Sequence, residues 1–203
     1  MTKIIFATTN KGKLREFQEI LPEGKYSFFT MEDIGFTEEI EEDGTTFLEN
    51  AAIKAKAVAR FAAGSETFRE AIVLADDSGL CADALGGYPG VLSARYAGVH
   101  GNDAANNAKL LRELSHLAST QPFTARFMCA MCVAEGGRRI AEFVGSVEGT
   151  ITLSPRGEHG FGYDPLFVPQ GGSLTMAELP AERKNAISHR SDALRRFREW
   201  AEQ

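Results

Sequence analysis

The sequence lacks any apolar run approaching the ~20 residues that a membrane-spanning helix requires. It also lacks internal repeats, low-complexity tracts and any stretch composed like a linker. Residues 1–203 are therefore expected to form a single domain. Cysteine is scarce, with only Cys81, Cys129 and Cys132. An odd number of thiols does not suit a disulfide framework and fits a reducing compartment. Positive charge is in deficit: 22 Lys and Arg stand against 28 Asp and Glu, a net charge of −6. That balance disfavours nonspecific binding to nucleic acid or to an anionic membrane. The opening residues MTKIIFATTNKGK turn polar after about five apolar positions, too few for the apolar region of a secretory signal. A cytoplasmic protein is expected. Against these absences stands a hydrophobic content of 43%, enough to fill a core without a disulfide or a structural metal. A charged fraction of 25% beside a full set of aromatics argues against disorder.

Cys129 and Cys132 form a C-x-x-C, a spacing shared with zinc and redox sites. Here the surrounding residues alternate. Phe123, Ala125, Phe127, Cys129, Met131 and Val133 fall on one face of a strand, which turns Cys132 to the other. No second pair of ligands completes a zinc site, so both thiols read as small core hydrophobes.

Along the chain, residues 3–7 read as a short apolar strand running into the polar turn TTNKGK. Leu14, Phe17 and Leu21 then recur at helical spacing. Residues 26–30 read as a second strand, followed by an acidic loop. Thr46 with Glu49 three residues later predicts a capping box opening a long alanine-rich helix. Gly64 is its expected stop. Residues 71–76 read as a buried strand ending in carboxylates, and the glycine-rich segment after it as an ordered functional loop. Leu110, Leu111, Leu114 and Leu117 mark a further helix. Two alternating segments flank Gly136-Gly137 and predict a β-hairpin. PLFVP reads as a short strand, and Leu194, Phe197 and Trp200 mark a last helix. The expected class is α/β with a mixed sheet. Ligands of such sheets gather beyond strand ends, which places attention on TTNKGK and DDSGL.

TTNKGK joins a strand to a helix and offers hydroxyls, an amide and two lysines. Helix N-terminal N–H groups favour anions, so the segment reads either as a phosphate cradle or as a solvated strand–helix turn. It is not a P-loop, which would need Gly where Ala7 stands and Ser or Thr where Leu14 stands. Asp76 and Asp77 alternate in direction, so one of the two faces a given site. A carboxylate fixed by strand backbone suits Mg²⁺, which takes oxygen ligands and keeps several waters. The run Glu38, Glu39, Glu41, Glu42 and Asp43 repels itself unless a cation joins it, and one member is a candidate second ligand. Phe161, Gly162, Tyr163 and Asp164 combine aromatics with glycine, and a ring there could stack on a nucleobase. Lys184, His189 and Arg190 cluster near the start of the last helix, with Ser188 as its N-cap. Cations there oppose the helix dipole, a conflict that an anion would resolve.

Six stretches, ATTNKGKLRE, EEDGTTFLENAAIKAKA, ADDSGL, GGYPGVLSARYAG, GFGYDPLF and ERKNAISHR, together resemble the inosine/xanthosine triphosphate pyrophosphatase family. They occur in family order and extend over essentially the whole chain. The resemblance implies an elongated mixed sheet with two α/β lobes and the active cleft between them, commonly in a homodimer. It implies a triphosphate-binding loop at Thr8, Thr9, Asn10, Lys11, Gly12 and Lys13, with Lys54 near the phosphates. Asp77 matches the carboxylate that holds Mg²⁺ and activates water, and Ser78 a substrate contact. Glu41 matches the second metal carboxylate, with Glu42 as the alternative. Phe161, Gly162, Tyr163 and Asp164 resemble the base-binding segment, and Lys184, His189 and Arg190 the contacts that close over the nucleotide. One departure is that this first loop reads Thr8-Thr9-Asn10, where the family often has glycine at the middle position.

The implied reaction is attack of water on the α-phosphorus of a deaminated purine nucleoside triphosphate (ITP, dITP or XTP), releasing pyrophosphate. Mg²⁺ is the expected cofactor, with Mn²⁺ as a substitute, since oxygen ligands suit both. Arg190 carries only donors and would favour a base with oxygen at C6 over adenine. A pyrimidine-directed relative and a nucleotide sensor without turnover are the competing readings. Product analysis separates all three.

Overall fold

The computed structural model describes residues 1–21, 24–117 and 122–202. Six strands make one sheet in the order β2-β1-β3-β4-β5-β6. They are β1 (Thr2–Phe6), β2 (Tyr26–Thr30), β3 (Ile72–Ala82), β4 (Phe123–Glu135), β5 (Arg138–Ile151) and β6 (Phe167–Pro169). β1 runs parallel to both β2 and β3, pairing Ile4 with Phe28 and with Ile72. β5 and β6 are antiparallel, so the sheet is mixed as expected. Among the described residues five helices accompany it: α1 (Lys11–Ile20), α2 (Phe47–Ala63), α3 (Asp103–Ser115), α4 (Ala181–Ile187) and α5 (His189–Ala201). No described helix is long and apolar enough to cross a membrane.

The chain divides into two compact units. The first comprises residues 1–77, 129–145 and 193–203. Its central strands β1, β3 and β4 are buried on both faces, and the period of two sorts their side chains. Ile5, Val73, Ala75, Cys132 and Ala134 join Ala51, Ala55, Val58, Ala59 and Ala62 of α2. Ile4, Phe6, Leu74, Cys129, Met131 and Val133 join Phe17 of α1 and Ala193, Leu194 and Phe197 of α5 on the other face. Cys129 and Cys132 thus serve opposite faces, and both are free and buried. The alanine face of α2 lets it lie close to the sheet. Its start is fixed by the expected capping box: Thr46 accepts from the Glu49 N–H, and the Glu49 carboxylate accepts from the Thr46 N–H. Such a cap contributes ~1 kcal/mol. Gly64 caps the other end.

The second unit comprises residues 78–128 and 146–192. Its core gathers Leu80, Leu110, Leu114, Phe123, Phe127, Tyr163, Leu166 and Phe167. The four residues Asn102, Asp103, Asn106 and Asn107 at the start of α3 all make hydrogen bonds. Asn102 caps the helix through the Ala105 N–H. Asn106 accepts from Ala97 N at 2.8 Å and donates to Ala94 O at 3.2 Å.

The structure departs from the sequence expectations at several places. Asp76-Asp77-Ser78-Gly79-Leu80 is not a loop beyond a strand end but the middle of β3. Gly79 is there for proximity, not for a turn: a Cβ would stand 2.2 Å from Ser93 Oγ and 2.6 Å from Gly90 O. The ordered segment continues after β3 as two 3-10 turns, Asp83–Leu85 and Gly90–Arg95. Leu117 lies beyond α3 and is exposed. Lys184 belongs to a separate helix, α4, in its last turn, where a cation agrees with the dipole. Ser188 does cap α5, its hydroxyl accepting from Ser191 N at 3.1 Å. The hairpin turns where expected, with Gly136 and Gly137 at φ of 55° and 79°, the pairing a tight two-residue turn demands.

Candidate active site

In the first unit, charged side chains converge from three elements. β3 presents Asp76 and Asp77 on opposite sides. Asp76 is fully buried and its Oδ2 lies 3.0 Å from the Lys13 ammonium at the start of α1. The Cys129 thiol also donates to that oxygen, at 3.8 Å. Asp77 is half-buried and accepts from Asn50 Nδ2 at 3.0 Å. Lys54, one turn after Asn50 on α2, pairs with Glu42 at 2.7 Å. Asn50 itself is buried, and its Oδ1 accepts from Gly44 N at 2.8 Å. One carboxamide therefore ties the end of the acidic loop to the Asp77 carboxylate. Gly44 must be glycine for this approach, because a Cβ would fall 2.6 Å from Asn50 Oδ1.

The loop before α1 is shaped by its own polar groups. Thr8 Oγ1 accepts from Asn10 N at 3.1 Å, and Asn10 Oδ1 accepts from Gly12 N at 2.9 Å and Lys13 N at 3.1 Å. Asn10 is thus the N-cap of α1. It engages two of the helix N–H groups that the sequence suggested for phosphate. Thr9, Asn10 and Lys11 are exposed. In the acidic run Glu41 is exposed, whereas Glu42 is half-buried on Lys54.

Burial is the largest influence on the Asp77 carboxyl and pushes its pKa up. The charges of Lys54 and Lys13 and the Asn50 hydrogen bond pull the other way without cancelling it. Burial alone would pull Lys54 down, but Asp77, Asp76 and Glu42 together outweigh it and raise its pKa. Both groups are shifted toward their protonated forms, Asp77 by burial and Lys54 by the carboxylates around it. Among the described residues no three His, Cys, Asp or Glu side chains are grouped so as to hold a metal. The carboxylate oxygens gathered here are of the ligand type that Mg²⁺ takes when it binds through one or two carboxylates completed by water and phosphate.

The second unit holds another group of candidates. Gly160 sits at φ 80°, where a Cβ would meet Asp164 Oδ2 at 2.1 Å. That oxygen accepts from Phe161 N at 2.9 Å and from Lys184 Nζ at 2.8 Å. Lys184 also lies 4.9 Å from the Phe161 ring centre, and the Arg190 guanidinium 5.8 Å. The half-exposed ring thus has two cations beside it, within the range of cation–π attraction. Arg190 donates to Ser78 Oγ at 3.0 Å. Tyr163 points inward instead: it is buried, and its hydroxyl donates to Ser93 O at 2.9 Å. Burial pushes its hydroxyl pKa well up. His189 is likewise buried, its ring stacked on Phe127 at 5.0 Å.

Sequence reasoning passed over Asn50, Asp76 as the partner of Lys13, and Asp103 and Asn107, which hold Gly162 through its N–H and C=O. The available signal for Asn50 was a lone amide on the otherwise apolar buried face of an alanine-rich helix.

Residues 4–200 match the model of the Ham1 family. A dITP/XTP pyrophosphatase of Bacillus subtilis is 50% identical over 197 residues, covering 97% of this chain and 96% of the relative. A dITP/XTP pyrophosphatase of Geobacter sulfurreducens is 48% identical over 194 residues, covering 96% and 94%. The solved structure of the Staphylococcus aureus Ham1 protein superposes with a TM-score of 0.83 at 37% identity, covering 99% of this chain and 98% of that one. A nucleoside-triphosphatase / dITP/XTP pyrophosphatase from Mycobacterium abscessus gives 0.74 at 41% identity, covering 97% and 98%.

Proposed function

Because this chain belongs to the Ham1 family, we propose that it hydrolyses dITP, XTP and ITP to the nucleoside monophosphate and pyrophosphate, clearing deaminated purines from the nucleotide pool. The observation that carries the chemistry is the cluster of Asp77, Asn50, Lys54, Glu42, Lys13 and Asp76. It sets a fixed, half-buried carboxylate among two lysines, as the attack of water on a polyanion requires. The relatives named dITP/XTP pyrophosphatase support the substrate class.

In this reading Lys13 and Lys54 neutralise the triphosphate. Their carboxylate partners already restrain both side chains, so less entropy is lost when phosphate oxygens engage them. Thr8, Thr9, Asn10, Lys11 and Gly12 form the turn against which the phosphates lie. Asp77 orients the attacking water, and Asn50 holds its carboxylate in one plane. The bond broken joins the α-phosphorus to the bridging oxygen of the departing pyrophosphate. Mg²⁺, for which Mn²⁺ could substitute, would be held by Asp77 with Glu41 or Glu42, and supplies Lewis-acid stabilisation of charge on the phosphoryl oxygens. Glu42 pairs with Lys54 at 2.7 Å whereas Glu41 is exposed, which supports Glu42 for the second place.

The base falls to residues of the second unit. Phe161 offers a ring face. Ser78, Lys184, His189 and Arg190, together with Gly162, Tyr163 and Asp164, form or support the surface that accepts it. Arg190 presents donors only, matching oxygen at C6 and rejecting an amino group. Unpaired buried donors can discriminate by roughly 10⁴ to 10⁵. Guanine also has oxygen at C6, so rejection of GTP rests on its 2-amino group. A cytoplasmic homodimer completes the proposal.

The test is to incubate the protein and Mg²⁺ separately with ITP, dITP, XTP, GTP, ATP and dUTP, and to quantify pyrophosphate and orthophosphate, with Asp77→Asn alongside. Pyrophosphate from the deaminated purines, lost in the variant, is the expected result. Orthophosphate alone would move cleavage to the γ-phosphate. Tight binding without turnover would make the chain a sensor.

A further inference from the structure

α3 begins with an i, i+4 pair, Asp103 and Asn107, on one face of its first turns. Both reach the same glycine. Asp103 Oδ2 accepts from Gly162 N at 2.7 Å, and Asn107 Nδ2 donates to Gly162 O at 3.0 Å. Gly162 has φ of 62°, in the left-handed region. One residue is therefore gripped at both its backbone polar groups by a single helix. Its neighbour on one side is Phe161, whose own N–H is held by Asp164. On the other side is Tyr163, anchored through its hydroxyl to Ser93 O.

We infer that Asp103 and Asn107 are positioning residues for purine recognition: together they fix the height and tilt of the Phe161 ring against which the base is selected. The inference rests on the proposed nucleotide activity and deepens it. Three observations carry it.

First, the grip is local and is not what holds α3 in place. Gly162 is a half-exposed loop residue, and α3 has its own N-cap in Asn102 and its own apolar anchors in Leu110 and Leu114. Second, Asn107 is kept at a cost. Its Oδ1 is buried and has no hydrogen-bond partner among the described residues. A buried acceptor left unmatched is unfavourable, and a position needed only for packing would be served better by an apolar side chain. The amide is explained by what its other end does, which is to hold Gly162 O. Third, the gripped residue adjoins a ring that has two cations beside it. Lys184 and Arg190 lie 4.9 and 5.8 Å from the Phe161 ring centre. Cation–π attraction falls off across that range, so a tilt of the loop changes how both donors meet the edge of a stacked base. Neither Asp103 nor Asn107 need touch substrate to act in this way.

The experiment uses the full chain with Mg²⁺ and compares Asn107→Leu, Asp103→Ala and Asp103→Asn with the unsubstituted protein. KM and kcat are measured for ITP and ATP, the melting temperature is recorded, and hydrogen exchange is followed at the amides of residues 161–163. Asn107→Leu and Asp103→Ala are expected to raise KM for ITP about tenfold, the scale of one hydrogen bond in a recognition surface. kcat should fall less, and the preference for ITP over ATP should shrink. Asp103→Asn keeps an acceptor oxygen and should restore the preference. Asn107→Leu removes an unmatched buried oxygen but also the bond to Gly162 O, so its melting temperature should shift by no more than about 4 °C while exchange at residues 161–163 speeds up. Unchanged KM and preference in both disruptive variants would overturn the inference and leave the proposed activity standing. Should the unsubstituted protein turn over no purine triphosphate, the proposed activity fails. Exchange then decides on the grip alone: faster exchange in the variants upholds it, and unchanged exchange overturns it.

Discussion

Replacing Asn50 by alanine tests whether the acidic loop and Asp77 are held as one unit. The side chain is 1% exposed and makes two hydrogen bonds, from Gly44 N at 2.8 Å and to Asp77 Oδ2 at 3.0 Å. Each net hydrogen bond contributes ~1 kcal/mol, and one to a charged group more. Asp77 and Gly44 are only partly buried, so water can replace much of what is lost. The expected destabilisation is about 2 kcal/mol, roughly 4–8 °C in melting temperature for a chain of this size. The sharper quantity is the coupling with Asp77. In a cycle of Asn50→Ala, Asp77→Ala and the double variant, the two losses should fail to add by about 1 kcal/mol, measured by urea unfolding. Turnover of dITP should fall by about 10² in Asn50→Ala, the scale seen when a reacting group is misplaced. Additive losses within ~0.3 kcal/mol would show that the amide does not hold the carboxylate, whatever the effect on activity.

Asp77→Asn should abolish turnover yet raise the melting temperature near neutral pH. Burial raises the Asp77 pKa above its ordinary value, so the fold disfavours the charged form. The gain should therefore appear as pH rises through the ordinary carboxylate range and vanish below it. A melting temperature lower than that of the native protein at pH 7 would contradict this. Lys54→Met should lower turnover far more than it raises KM, since its charge serves the leaving group more than the ground state. Equal changes in both would assign it to binding alone. Tyr163→Phe should cost about 1 kcal/mol, from the lost bond to Ser93 O, with the ITP preference unchanged. A changed preference would return Tyr163 to the base surface.

The strands and the long helices were legible because their signals are local. The capping box at Thr46, the alternation through residues 123–135 and the glycine pair at 136–137 each depend on near neighbours only. The extension of β3 through Asp76 to Ala82 was hidden because glycine and paired aspartates imitate a turn. What keeps them in the strand is the close approach of Ser93 and Gly90 to Gly79, a contact between distant residues. The same holds for the candidate site. Lys13, Lys54 and Asp77 stand out by type and by the motif around them. Asn50 acts across 27 residues on Asp77, and Asp103 across 59 on Gly162. Such partners are set by tertiary packing, which no spacing rule encodes. Tyr163 and Phe161 look equivalent in GFGYDP, and only the fold turns one inward and leaves the other half-exposed.

The placement of Cys129 and Cys132 on opposite faces of β4 has a practical corollary. Two thiols three positions apart in sequence are kept from meeting by the sheet itself, and neither meets solvent. Burial pushes the Cys132 thiol up to about 11, far from the thiolate that reagents attack. Cys81, half-buried, is the accessible one. The chain thus carries its own clock for unfolding. Under a thiol-blocking pulse, modification beyond a single adduct counts molecules whose central strand has opened. The two faces report separately, one through the layer under α2 and the other through the layer under α1 and α5.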